Sequence, residues 1–160
     1  MVTQYELKEL LHYDNETGHF TWIKRNGRMA AGSRAGGVRG EGYEQIILRG
    51  RAYQSHRLAW LWVTGEWPPT QVDHINGVRN DNRWSNLRLA TAHQNQWNTG
   101  VRADNASGFK GVTRPAGRTK WHAYINERGK RRYIGSFATA EEANVAAINA
   151  RQMAHGEFAR

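Results

Sequence analysis

The chain has 160 residues, a formal net charge of +9 and no cysteine. Disulfide staples, thiolate metal sites and thiol chemistry are therefore excluded, and any metal must be held by His, Asp, Glu or Asn. No apolar run approaches the roughly 20 residues of a membrane span, and the opening MVTQYELKELL has neither the basic flank nor the apolar core of a secretory signal, so a soluble, cytoplasmic protein is expected.

In chain order, YELKELLHYDNETGHFTWI predicts a short helix carrying Tyr5, Leu7, Leu10 and Leu11, a DNETG turn and a strand from His19 to Ile23. The glycines of NGRMAAGSRAGGVRGEG are too dense for a regular element, which predicts loop and hairpin turns whose arginines are available to phosphate. YEQIIL and RAYQSH read as two strands joined at an RG turn. RLAWLWVTG reads as a buried helix stopped by Gly65, with Pro68 and Pro69 barring continuation and Trp60, Trp62 and Trp67 in the core. Residues 98–107, NTGVRADNAS, carry a linker signature. Beyond it, FKGVTR, KWHAYINE and KRRYIGSF predict three strands. TAEEANVAAINARQMAHG predicts a helix capped by Thr139, with Ala143, Ala146, Ala147 and Ala150 on the face that meets the sheet.

Charge divides unevenly between these parts. Residues 1–99 hold 12 Lys and Arg against 9 Asp and Glu, a net of +3, whereas residues 100–160 hold 11 against 5, a net of +6. Lys110, Arg114, Arg118, Lys120, Arg128, Lys130, Arg131 and Arg132 crowd together in the second part, an excess that suits a polyanion. Period-2 alternation puts Trp121, Ala123 and Ile125 towards the helix. Tyr124, Asn126, Arg131 and Tyr133 are then expected on the outer face, a set suited to base edges and phosphates.

Within the first part lies VDHINGVRNDNRWSNL, in which an acid and a histidine stand side by side ahead of a run of asparagines. Asp73 and His74 read as the end of a strand, INGVRND as a turn, LRLAT as a second strand and AHQNQWN as the start of a helix. Strand, connection, strand and helix can pin one metal ion. The carboxylate of Asp73 and the amide oxygen of Asn95 suit Mg²⁺, with Mn²⁺ substituting. His93 competes with Asn95 but points elsewhere on the helix. His74 is the expected general base, because neutral imidazole near pH 7 can take a proton from water. Asn86 is expected to brace the loop that presents this base. Asn76, Asn80 and Asn82 read as turn formers, Arg79, Arg83 and Arg88 as phosphate clamps, and His56 as a packed residue at a strand–helix junction.

Two resemblances follow. Residues 55–98 resemble the HNH (ββα-metal) endonucleases of the phage and intron homing type, with the pattern HRL…W…G…P…DHINGxxxDNRxSNLRxATxxQNxxN. The matches are His56 to Leu58, Trp60, Gly65, Pro68, Asp73 to Gly77, Asp81 to Arg83, Ser85 to Arg88 and Asn95. The resemblance implies hydrolysis of double-stranded DNA to a 5′-phosphate and a 3′-hydroxyl with one divalent ion, in a host cytoplasm if phage-encoded. Residues 105–159 resemble the apetala-type (ethylene-response-factor) DNA-binding domain, through Phe109 to Val112, Lys120–Trp121, Tyr133 to Phe137 and the TAEEA helix start. That family reads the major groove from its sheet, which implies contacts at Lys110, Thr113, Arg114, Tyr124, Asn126, Arg131 and Tyr133. Pro115 and Asn126 depart from the family pattern, so target sequence does not carry over.

The expectation is an α+β protein: a nuclease region over 1–99 with added hairpins, a linker over 100–107, and a small three-stranded antiparallel sheet packed on one helix over 108–160. It would act on duplex DNA, without a membrane, as monomer or homodimer. The rivals are a DNA-binding regulator with an inactive nuclease region, and an RNA-directed protein.

Overall fold

The computed structural model describes residues 1–98, 100–101, 105–127 and 129–159, without the side chain of Gln96. Thr99 and Arg102 to Asp104 of the expected linker and Arg128 of the basic cluster thus lie outside the described residues. The chain forms two compact units, Met1–Ala90 and Thr91–Arg160, both of mixed α and β structure.

In the first unit, α1 (Gln4–Leu10) starts at a capping box in which Thr3 and Glu6 satisfy each other's backbone amides. Antiparallel β1 (Leu11–Tyr13), β2 (Phe20–Trp22) and β3 (Arg34–Ala35) follow in that spatial order. A second antiparallel sheet comprises β4 (Gly37–Arg39), β5 (Tyr43–Leu48) and β6 (Arg51–Gln54). The glycine-rich segment expected to be loop therefore contributes two short strands. Each pairs along one side with a stronger neighbour, β3 with β2 and β4 with β5, and Gly36 at φ 94° makes the kink between them. Helix α2 (Ser55–Thr64) buries Leu58, Ala59 and Leu61 and stops where Gly65 takes the left-handed conformation. β7 (Gln71–His74) and β8 (Leu87–Ala90) form a two-stranded antiparallel ladder, with a 3-10 turn over Trp84–Asn86 in the connection.

One apolar cluster unites this unit, from Leu7 and Leu11 through Phe20, Ile46, Leu58 and Leu61 to Val72 and Leu87. Trp60, Trp62 and Trp67 pack at its margin, as expected of core residues.

The second unit begins with α3 (Ala92–Trp97), whose Trp97 stacks on His155 with ring centroids 4.1 Å apart. Its sheet has β10 (Trp121–Glu127) between β9 (Val112–Thr113) and β11 (Lys130–Phe137), all antiparallel. The first strand is shorter than FKGVTR suggested, because Gly111 adopts φ 76° with Tyr124 O where a Cβ would stand, 2.3 Å away. Helix α4 (Ala140–His155) opens with a capping box between Thr139 and Glu142. It buries Ala143 and Ala147 with Val112 and Ala123.

Candidate active site

The β7–β8 ladder pairs Asp73 with Arg88 and His74 with Leu87. Successive strand residues face opposite sides, so the acid and the imidazole diverge although both are buried. The connection between the strands is a wide loop tied across its base by Asn86. The Asn86 side chain accepts from the Asn76 backbone N–H (3.0 Å) and donates to Asn76 Oδ1 (3.0 Å) and the Asp81 carbonyl (2.8 Å). The Ile75 N–H donates to the Asn86 carbonyl at 2.9 Å. Asp81 anchors the same loop: Arg83 Nε and Nη2 donate to its two oxygens at 2.8 and 2.6 Å, and Asn76 Nδ2 donates at 2.7 Å. The hydrogen bonds from Arg83 hold the Asp81 carboxyl down at about 2.

His74 sits in a pocket of aromatic and polar groups. Its Nε2 lies 3.1 Å from Asn82 Oδ1; Asn82 Nδ2 donates to Glu44 Oε2 at 3.0 Å; and Arg34 Nη2 donates to Glu44 Oε1 at 2.9 Å. The Asn82 backbone is clamped as well. Tyr13 Oη donates to its carbonyl at 2.6 Å, and Gly18, at φ 74°, lies so close that an added Cβ would stand 2.4 Å from Asn82 C. The His56 ring meets His74 edge-on at 5.0 Å, and Tyr43 flanks both. Burial lowers the pKa of His74, opposed by its hydrogen bond to the Asn82 amide oxygen; burial also takes His56 down to about 3. Both rings are accordingly neutral near pH 7, the state a proton acceptor requires.

Arg88, expected as a phosphate clamp, instead places Nε and Nη2 against Asp73 Oδ2 at 3.0 and 2.9 Å, with both partners nearly buried. Arg83 is likewise turned to a carboxylate. Asn95 is half-buried on α3 in the second unit, where its backbone N–H donates to the Thr91 carbonyl; His93 on the same helix is exposed. Among the described residues no three His, Cys, Asp or Glu side chains cluster as metal ligands. Asp73 in the first unit and Asn95 in the second each offer a hard oxygen, one a carboxylate and the other an amide, of the chemistry that a divalent ion such as Mg²⁺ takes.

A profile of the HNH endonuclease family matches residues 53–97, a stretch containing Asp73, His74, Asn82, Asn86, Arg88 and Asn95. Protein 3.8 of Escherichia phage T7 is 31% identical over 113 residues, which cover 69% of this chain and 91% of the phage protein. This chain belongs to the HNH endonuclease family. A solved structure of DNA binding and cleavage by the HNH homing endonuclease I-HmuI superposes with a TM-score of 0.44 at 20% identity, covering 91% of this chain and 85% of that one.

The second unit of this HNH protein shows an outer sheet face of the expected kind. Tyr124 pairs with Tyr133 and Asn126 with Arg131, since a register shift beside Ala123 lets Ile134 turn inward without moving the tyrosines to opposite faces. The Arg131 guanidinium lies 3.8 Å from the Tyr124 ring centroid, and Tyr133 contacts both Tyr124 and His122. Thr113 pairs with His122, and Arg114 lies over Trp121. Lys110 is different: its Nζ donates to the Trp97 carbonyl, and its own carbonyl accepts from Arg151.

Two residues at the nuclease hairpin escaped the sequence reading. Asn82 looked like one turn-forming asparagine among several. Glu44 lay outside the motif, yet it had a signal: the alternation of YEQIIL puts it on the same face as Ile46 and Leu48, and a carboxylate at a core position demands a partner.

Proposed function

We propose that this HNH chain is a metal-dependent DNA endonuclease, phage-encoded and of the homing type, that hydrolyses phosphodiester bonds to leave a 5′-phosphate and a 3′-hydroxyl. The observation that carries this reading is the burial of a neutral His74, held at the end of β7 next to Asp73 by a loop that Asn86 closes.

In this reading His74 accepts the proton of the attacking water. Asn86 acts through the loop and not on the substrate. Its three hydrogen bonds fix where β7 ends and so where the imidazole stands. Asp73 and Asn95 would hold the ion, Mg²⁺ or Mn²⁺, which when bound supplies positive charge to the phosphate and the leaving oxygen. Arg88 holds the Asp73 carboxylate in place through its Nε and Nη2 hydrogen bonds. The outer face of the second unit, with Tyr124, Asn126, Arg131 and Tyr133 and flanked by Thr113 and Arg114, grips duplex DNA in the manner of the apetala-type sheet. Lys110, Arg83 and Arg88 are secondary to that grip, because protein groups already engage them.

The test is nicking of supercoiled plasmid with and without Mg²⁺ or Mn²⁺, alongside His74→Ala and a gel-shift measurement of binding. Cleavage that needs the ion, vanishes in His74→Ala and leaves binding intact is expected. Cleavage by His74→Ala at the wild-type rate sinks the base assignment. A second reading, a DNA-binding protein without cleavage, is favoured by one observation, the guanidinium of Arg88 already seated on the expected metal ligand. A wild-type protein that binds DNA but cuts under no divalent ion selects it.

A further inference from the structure

A neutral imidazole has two tautomers, and only one presents a lone pair on a given nitrogen. We propose that Glu44 decides which tautomer His74 adopts, acting through Asn82, and so places the base's lone pair on Nδ1. The proposal rests on the reading of His74 as the general base.

The argument is one of donors and acceptors. Arg34 can only donate, and it donates to Glu44 Oε1 at 2.9 Å. A carboxylate so engaged only accepts, which obliges Asn82 to turn its NH₂ end towards Glu44 Oε2, 3.0 Å away. The opposite end of the same amide is then an oxygen, and it faces His74 Nε2 at 3.1 Å. An oxygen in that place requires an N–H on Nε2, which leaves the lone pair to Nδ1.

Water is kept from the two bonds of Asn82, because Glu44, Asn82 and His74 are 2%, 1% and 4% exposed, while Arg34 reaches Glu44 from the solvent side. The amide cannot slide out of the chain, since Tyr13 Oη and the close approach of Gly18 hold the Asn82 backbone. Glu44 stands on β5 and Arg34 on β3, both before the stretch matched by the family profile. The added N-terminal hairpins thus have a positioning role in the chemistry of the hairpin that follows.

The decisive substitution is Glu44→Gln, which keeps shape and removes the acceptor-only character. Arg34 would claim the Gln oxygen, the Gln NH₂ would face Asn82, the Asn82 amide would invert, and His74 would be driven to the Nδ1–H form. Removing Arg34 as well, in Arg34→Ala/Glu44→Gln, lets the Gln oxygen turn back to Asn82.

The readouts are the ¹⁵N histidine spectrum of the full chain, with His74 assigned by its loss in His74→Ala, and cleavage kinetics with Mg²⁺ at saturating plasmid. Wild type should show Nε2–H at His74. Glu44→Gln should show Nδ1–H and lose roughly 10²–10⁴-fold in kcat, the range a general base contributes, with KM little changed. The double variant should regain the Nε2–H signal and most of the lost rate. Glu44→Gln with unaltered tautomer and kcat overturns the proposal. If Glu44→Gln does not fold, the wild-type spectrum decides alone, because an Nδ1–H signal at His74 there refutes it. His74→Ala with full activity instead refutes the base reading, whereas an inactive His74→Ala beside a fully active Glu44→Gln refutes the relay alone.

Discussion

The two units use asparagine to opposite ends, and the arginines beside those amides differ with them. In the first, Arg34, Arg83 and Arg88 are each joined to a carboxylate, and Asn82 and Asn86 are buried with their amides engaged at both ends. In the second, Arg114 and Arg131 lie over aromatic rings, and Asn126 is exposed. For the asparagines the difference is burial, since Asn82 and Asn86 are 1% and 7% exposed while Asn126 is open to solvent. A polar group cut off from water must find its whole complement of partners within the protein, so its geometry becomes single-valued, which suits a catalytic hairpin. A polar group on an open sheet keeps water as its default partner and can exchange it for a nucleic acid, which suits a surface that binds.

That contrast can be broken by substitution. The largest expected effect is the loss of cleavage in His74→Ala, roughly 10²–10⁴-fold, with DNA binding within about twofold by gel shift. Asn82→Ala comes next. It leaves Glu44 and His74 Nε2 buried without their partner, at about 1–3 kcal/mol for each orphaned group, and should lower the urea midpoint of the first unit as well as the cleavage rate. A midpoint equal to wild type would mean that the buried chain contributes nothing to stability.

Gly18→Ala should cost about 2 kcal/mol or more, because φ is 74° and the new Cβ would stand 2.3 Å from the Arg83 backbone nitrogen. Thermal unfolding measures it, and an unchanged transition would show that this turn does not press on Asn82.

Acid should act on the first unit through His56. The folded protein keeps this ring neutral to about pH 3, while the unfolded chain takes up a proton near the ordinary 6.5. Between those values the unfolded state binds more protons, so stability falls as pH drops, by at most about 1.4 kcal/mol per pH unit for one histidine. The dependence of stability on pH between 7 and 5, from denaturant curves, should be flatter for His56→Gln than for wild type. An equal slope in the two proteins removes His56 from the account.

The smallest effect belongs to the exposed side. Arg131→Ala should weaken DNA binding only a few-fold and reduce its salt slope by about 1, with unfolding unaltered. A loss of stability there would mean that Arg131 is structural after all, and the contrast between the units would fail.

Much of the architecture was legible because it is local. Thr139 with Glu142 marks a helix start within four residues, Gly65 stops α2, and alternation in KWHAYINE sorts Ala123 and Ile125 inward. Asp73, His74 and Asn86 announced themselves by chemistry and spacing within one short motif. The strands of the glycine-rich segment did not, since β3 and β4 exist only through their neighbours.

What the sequence alone determined, then, is the inventory: a carboxylate beside an imidazole, amides in the turn, a basic second half and the periods of the main elements. Tertiary structure decided the pairings. Glu44 and Asn82 are 38 positions apart, and Asp73 and Arg88 are 15 apart. No period of helix or strand links such residues; only the packing of β5 beside the β7–β8 loop, and the ladder itself, brings their polar ends together in a place that water does not reach.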